Sequence, residues 1–495
     1  MKKLIYYLQK IVPLMFVIVF QTAGNSANAQ LPFDFKYAGI FSGFNSIVQR
    51  YDDLRAVVYY EDNGLGYVSL VDIVSDQVYT VSLDSGIYMN DMCILRDTVF
   101  LCGRHFTATY GNVGSIVAIS INEFYSSAVS PVYFEPSYWI HFNLKRIDGY
   151  EYTSSSSGNK YLKFLLVGDV DFSCDGSEPF PGVLSNVEWS PRAYSSSGPD
   201  GRCTVNAVVE VSYPFSYGGP TAMTTSQVVM RAVNPDGHPE IIHDVVVTKN
   251  HVAFIGLEGV SSKAITLHIC NKGDNVLRDF NPFVLSDFYN YFRYPLSYSS
   301  ANPFYHACAM LEDRIAIVAD GEKPSMPERM TIRAIDLNTQ TMLVSQELVG
   351  VYIPQVKDVA HCPGTDSILV LYTDKFIPTS FIRDMVCKVD LSSNHSYYYR
   401  PCIVDNMPPM LLNSIDAMSK NYFITTGGKY GMAIKSGIMG GVGNCYDGTD
   451  YLLKGSDIIS PSAYHFIYDQ YLPVSHFWQV VVGPEQTNLM PICVE

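Results

Sequence analysis

Acidic side chains recur at one point of a repeating pattern. Asp91 and Asp244 each stand six residues ahead of an Asp or Asn that opens an apolar run, and Asp358 stands at the matching point of a unit whose turn is two residues longer. His306, Asp148 and Asp416 fall near that point in other units. If the segments converge, Asp91, Asp244, Asp358 and His306 could hold a hard divalent cation such as Ca²⁺, or orient a water or a sugar hydroxyl. A strand-start Asp also has a simpler use, accepting backbone N–H groups of the preceding turn.

Such a cluster needs elements that bring distant residues together. A turn Asp or Asn, one variable residue and an apolar run ending six positions on in a small residue or Tyr occur at Asp53–Tyr59, Asp97–Gly103, Asn250–Gly256, Asp313–Ala319, Asp366–Tyr372 and Asn421–Gly427. Leu162–Gly168 is a degenerate copy. Successive copies are 44, 65, 88, 63, 53 and 55 residues apart, and the longest step contains a Ser/Pro-rich insertion around Cys174 to Cys203. A short alternating segment precedes each turn, and two further strand-like segments follow, as Tyr67–Ile73 with Val78–Leu83. Four short strands per unit bury their faces only against neighbouring units. The spacing therefore predicts an all-β fold, a β-propeller of seven four-stranded blades over 30–460, with 461–495 as a closing strand or cap. Tandem β-sandwich domains are the alternative.

The hairpin Ala334-Ile335-Asp336-Leu337-Asn338-Thr339-Gln340-Thr341 resembles the residue-Asp-Leu-x-Thr hairpins of lactonase-like, YVTN-type seven-bladed propellers. The resemblance is one of blades, spread loosely over residues 40 to 460. It implies a propeller and, by likeness to the lactonase-type members, a metal-dependent hydrolase or lyase using the Asp and His positions. Asp169-Val170-Asp171-Phe172-Ser173-Cys174-Asp175-Gly176 resembles the calcium loops of integrin-type propeller repeats, with an insertion and no Glu twelve residues along; an ordinary polar loop is the alternative.

Aromatic residues crowd one connection, where Phe288, Tyr289, Tyr291, Tyr294 and Tyr298 precede a leading strand and should share the face of the Asp cluster. Trp139 marks a similar connection. Such platforms suit stacking on sugar rings or a partner protein, or else plug the face as a satellite core. Three cysteine pairs are candidates for disulfides: Cys93 with Cys102 and Cys387 with Cys402 across hairpins, and Cys174 with Cys203 around the insertion. Buried free thiols are the other reading.

Residues 1–29 read as a signal peptide, with Lys2, Lys3 and Lys10, an apolar run Ile11–Phe20 and a small-x-small site at Ala27-Asn28-Ala29. Its removal takes away three Lys and no acidic residue, moving the formal charge from -15 to -18. The expected product is exported, to a periplasm, the cell surface or the medium, without a transmembrane segment. Of 495 residues 47% are hydrophobic and only 16% charged, which excludes a disordered chain. The acidic balance with no basic cluster excludes nucleic acid as partner. There is no GxSxG elbow, HExxH, phosphate loop or dinucleotide fingerprint. Three functions stay open: a binding or scaffolding module for a glycan or partner protein, the metal-dependent enzyme, and a structural component of a surface assembly.

Overall fold

Each apolar run of the repeat is a strand paired on both sides. The computed structural model describes residues 36–37, 45–72, 75, 77–109, 111–135, 142–173, 202–214, 224–233, 239–258, 264–273, 276, 291–293, 305–320, 329–349, 355–376, 381–392, 395–401, 412–419, 422–427, 434–437, 446–447, 450–454, 460–462, 465–469, 472–473, 477–479, 482–488 and 490–491. The fold is all-β, built of antiparallel sheets, with one short 3-10 turn at Ile121–Tyr125 among the described residues. The seven runs lie in the strands Arg55–Asp62, Thr98–Thr107, Lys160–Ser173, His251–Glu258, Arg314–Asp320, Ser367–Phe376 and Tyr422–Gly427. Each pairs with a leading strand before it: Ile47–Arg50, Ile87–Leu95, Phe142–Thr153, Pro239–Val247, Tyr305–Ala309, Gln355–His361 and Leu412–Ala417.

At four of the turns the Asp or Asn acts through its main chain. The carbonyls of Asp97, Asn250, Asp313 and Asp366 accept N–H groups from Ile121, Lys272, Leu337 and Leu391, each just past the third strand of its own unit. These latches, 2.7 to 3.0 Å long, tie the first turn of a unit to its third strand. Asp313 also gathers Asn250 N–H and the side chains of Thr248, His251 and Asn338. Burial opposes its charge, but the Asn250 N–H and the side-chain donors win and hold its carboxyl below the usual range.

Apolar residues of consecutive units interleave to form the core. Tyr59 and Leu70 pack with Met89 and Leu101, Phe100 with Phe164, Val167 with Phe254, Ile255 with Ile317, and Val318 with Val370. The last unit meets the first where Met418 and Ile424 pack with Val48, Val58 and Val78. Sheets covered on both faces have little need of surface charge, which accounts for the 16%. One exception is buried: Lys163 Nζ lies 2.7 Å from Glu210 Oε1, the two side chains 5% and 0% exposed. Lys163→Met removes the ammonium that neutralises Glu210 and should cost about 3–5 kcal/mol in denaturant unfolding, whereas Lys163→Met with Glu210→Leu should recover most of it. A double variant as unstable as the single one would contradict this.

The chain after Gly437 adds strands to the outer sides of earlier sheets. Asp450–Lys454 bridges His395–Pro401 and Thr341–Val349. Ser460–Ser462 joins Tyr291–Arg293, His465–Asp469 joins Thr224–Val233, Phe477–Gln479 joins Val132–Phe134, and Glu485–Asn488 joins Gln77–Ser82.

Several sequence expectations are corrected. The Cys93 hairpin turns at Arg96-Asp97, both with positive φ (47° and 56°), one residue earlier than a Cys93–Cys102 pairing requires. Cys93 therefore faces Phe100, Cys102 faces Asp91, and both are free thiols. The other Cys hairpin also turns early: Cys387 faces Tyr398, while Cys402 lies outside the described residues. Cys203 is opposite Phe172 at the mouth of the insertion; Cys174 lies outside the described residues. Asp169 to Ser173 continues a strand instead of forming a calcium loop, and the Asp169 side chain is bound by Lys145 and Asn206.

Candidate functional site

The leading strands share a register that the sequence count missed. The small residue or Tyr ending each run faces Ile47, Met89, Leu144, Ile242, Tyr305, Val356 or Leu412. In five strands an extra residue then bulges out, namely Asn90, Lys145, His243, Lys357 and Asn413. The next position is Val48, Asp91, Arg146, Asp244, His306, Asp358 or Ser414. The structure thus brings Asp91, Asp244, His306 and Asp358 into one tier, as expected, but Arg146 stands there in the third unit. Asp148 and Asp416 are two residues further along, in a second tier. The bulges explain the terminal glycines, since they press the leading strand onto its neighbour: a Cβ on Gly103 would lie 2.0 Å from the Tyr88 carbonyl, and one on Gly168 2.5 Å from that of Asn143.

Most of the carboxylates are spoken for by main chain. Asp91 accepts the N–H of Ile147 (2.9 Å), Asp148 that of Val247 (2.7 Å), Asp244 that of Ala307 (3.2 Å), Asp358 that of Ile415 (2.9 Å) and Asp416 that of Arg50 (2.6 Å). In every case the donor lies on the next leading strand, and for Asp416 that strand is the first. The second oxygens of Asp148, Asp244, Asp358 and Asp416 accept the N–H of their own following residue. Ser414 Oγ accepts from Val48 and donates to Asp358. Further clips hold the residues before the bulges: Tyr59 on Met89, Asn90 on Leu144, Asn206 on both main-chain groups of Ile242, and Lys357 with Asp384 on those of Leu412.

Arg146 provides the positive charge among these groups. Its guanidinium is 3.9 Å from Asp91 and 3.7 Å from Asp244, and it donates to His306 Nδ1 at 3.1 Å, which fixes that ring with its proton on Nε2. Burial, then Arg146 and His243, push His306 well down, so it is neutral. Burial raises Asp91 to about 7 and Asp148 to about 7 against their hydrogen bonds, and Asp416 to about 6; Asp244 and Asp358 also rise. A carboxyl that binds its proton more tightly folded than unfolded makes stability fall as pH rises, here from 3.8 towards about 7 for Asp91. Asp91→Asn keeps an acceptor for Ile147 and loses the charge. The wild type should therefore gain on this variant in denaturant midpoint as pH falls from 8 to 5; a constant gap would contradict the assignment.

The expected metal site is corrected by this arrangement. Among the described residues no three His, Cys, Asp or Glu side chains are grouped so as to hold a metal ion. Asp91, Asp244 and Asp358 are spent on backbone N–H groups, and the cation between them is Arg146. A Ca²⁺ site does not fit here. The aromatic expectation also changes: Tyr291 is in the fourth strand of its unit, paired on both sides, and not in a connection to a leading strand. Phe288, Tyr289, Tyr294, Tyr298 and Trp139 lie outside the described residues.

The tiers open into a cavity of about 690 Å³, lined on the polar side by Asn45, Gln49, Asn90, Gln355, Asn413 and Arg146 besides the carboxylates. Gln49 Oε1 is a buried acceptor with no hydrogen-bond partner. Amides, carboxyls and one guanidinium around such a volume can bind a small ligand rich in hydroxyl groups.

No family model and no curated protein matches this sequence. Among solved structures, two of the full extracellular region of plexin A4, of domains 1 to 10 and 1 to 8, superpose with a TM-score of 0.35 at 10% identity. The match covers 82% of this chain and 40% or 51% of those chains, under two thirds of either. A likeness that distant carries no statement about function. Among the described residues no helix is long and apolar enough to cross a membrane.

Proposed function

We propose that this chain is an exported seven-bladed β-propeller that serves as a binding module, its ligand being a glycan taken into the central cavity. The closed succession of leading strands, with Asp416 reaching back to Arg50, supports the propeller over tandem sandwiches, in which each pair of sheets would enclose its own core. The observation that carries the ligand reading is the cavity itself, with the partnerless Gln49 Oε1 in its wall. Sugar hydroxyls donate and accept, so one ring could satisfy Gln49 together with an amide or carboxyl opposite. The occupation of the carboxylates by main chain weighs against the metal-dependent enzyme. A glycan array should give defined binders, and Ala309→Trp, which fills the cavity wall, should weaken them at least about tenfold with the fold intact. Binding that ignores the filled cavity would overturn the reading.

A further inference from the structure

From Tyr446 to Pro491 every described strand pairs with some other part of the fold. Tyr446–Asp447 and Asp450–Lys454 pair with the sixth unit and then the fifth, Ser460–Ser462 with the fourth, His465–Asp469 and Leu472–Pro473 with the third, Phe477–Gln479 with the second and Glu485–Asn488 with the first. Met490–Pro491 then pairs with Lys36–Tyr37. The segment thus visits the units in the reverse of chain order, always antiparallel and always on the strand furthest from the leading one. Outer edges left open would present rows of unpaired N–H and C=O groups, the commonest route to strand addition.

We propose that the outer edges of the first six units form one strand-accepting rim, that segment 446–491 is its occupant within a chain, and that the same segment of a second copy fits it, so that copies join by exchange. The ladders are made by main chain, and identical edges accept an identical segment from either source. Each ladder is only two to five residues long, so it can be released in steps. Exchange of one identical element is the usual low-cost route from monomer to dimer. This inference rests on strand pairing and is independent of the glycan reading.

The test uses the full chain with a specific protease sequence inserted between Gly437 and Tyr446 and cut after folding. The severed segment should co-elute with the remainder, keep the amides of 77–82, 132–134 and 224–233 protected from exchange, and be replaced by excess fluorescent peptide 446–491. A peptide carrying Pro at positions 466, 468, 478 and 486 should not be taken up. Dissociation of the segment with those edges unchanged would overturn the rim, as would collapse of the whole fold on cutting. Retention without uptake of the labelled peptide, even close to the unfolding temperature, would overturn exchange.

Discussion

Gly103→Ala should lower stability by about 3 kcal/mol, the upper end for overpacking a filled site. The added Cβ would sit 2.0 Å from the Tyr88 carbonyl oxygen, 2.7 Å from Met89 Cα and 2.9 Å from the Tyr88 carbonyl carbon. All three are main-chain atoms of the leading strand just before its bulge, and that strand cannot retreat. Its Met89 N–H is held by the Tyr59 hydroxyl and its Asn90 side chain by Leu144 of the next unit. Gly273→Ala, with nothing within 4 Å of the added carbon, is the control and should be nearly neutral. Urea denaturation of both variants decides the matter: equal midpoints would contradict the close approach at the bulge.

Arg146→Met should cost about 2–4 kcal/mol at pH 8, because it strips the cation from Asp91 and Asp244 while leaving their carboxyls in place. The side chain is 28% exposed, which keeps the figure below that of a fully buried pair. The loss should shrink at pH 5, where the raised carboxyls take up protons and no longer need the guanidinium. Arg146→Lys should recover only part, since an ammonium cannot span both carboxyls and His306 as a planar guanidinium does. Denaturant midpoints at the two pH values, beside the wild type, give the answer. A loss independent of pH would mean that Arg146 acts by packing alone.

Much of the fold was legible because its signal is local. The run from a turn Asp or Asn to a small residue or Tyr is a strand, bounded in four units by a latch to the third strand of the same unit, and both ends of that unit can be read along the chain. The degenerate copy at Leu162–Gly168 lacks the turn Asp or Asn and was legible from its apolar run and terminal Gly alone. The site was legible only in part. Asp91, Asp244, Asp358 and His306 share a tier, but a bulge adds a residue to five of the leading strands, so counting back from the turn slips between units. That slip hid Arg146 and drew attention to Asp148, which is chemically similar to its supposed equivalents but two residues displaced. A terminal Gly at 103, 168, 256 and 427, paired with a bulge in each case, is the signal that could have set the register. The simpler use of the aspartates, binding backbone N–H groups, also proved to be the real one, with the donors on the neighbouring strand and not in the preceding turn. The role of segment 446–491 was beyond reach, because main-chain pairing at an edge leaves almost no trace in side-chain pattern.

The seventh leading strand is clipped to the first beside the cavity, Asp416 to the Arg50 amide. Native-state hydrogen exchange at the Arg50 amide tests this most directly. Its N–H points away from the Arg55–Asp62 partner strand and is bound by Asp416 alone, 366 residues along the chain. The amide should be protected in the wild type and lose at least about tenfold of that protection in Asp416→Ala, while the Ile147 amide held by Asp91 is unaffected. An Arg50 amide that exchanges in the wild type as fast as an unstructured one would contradict the closure.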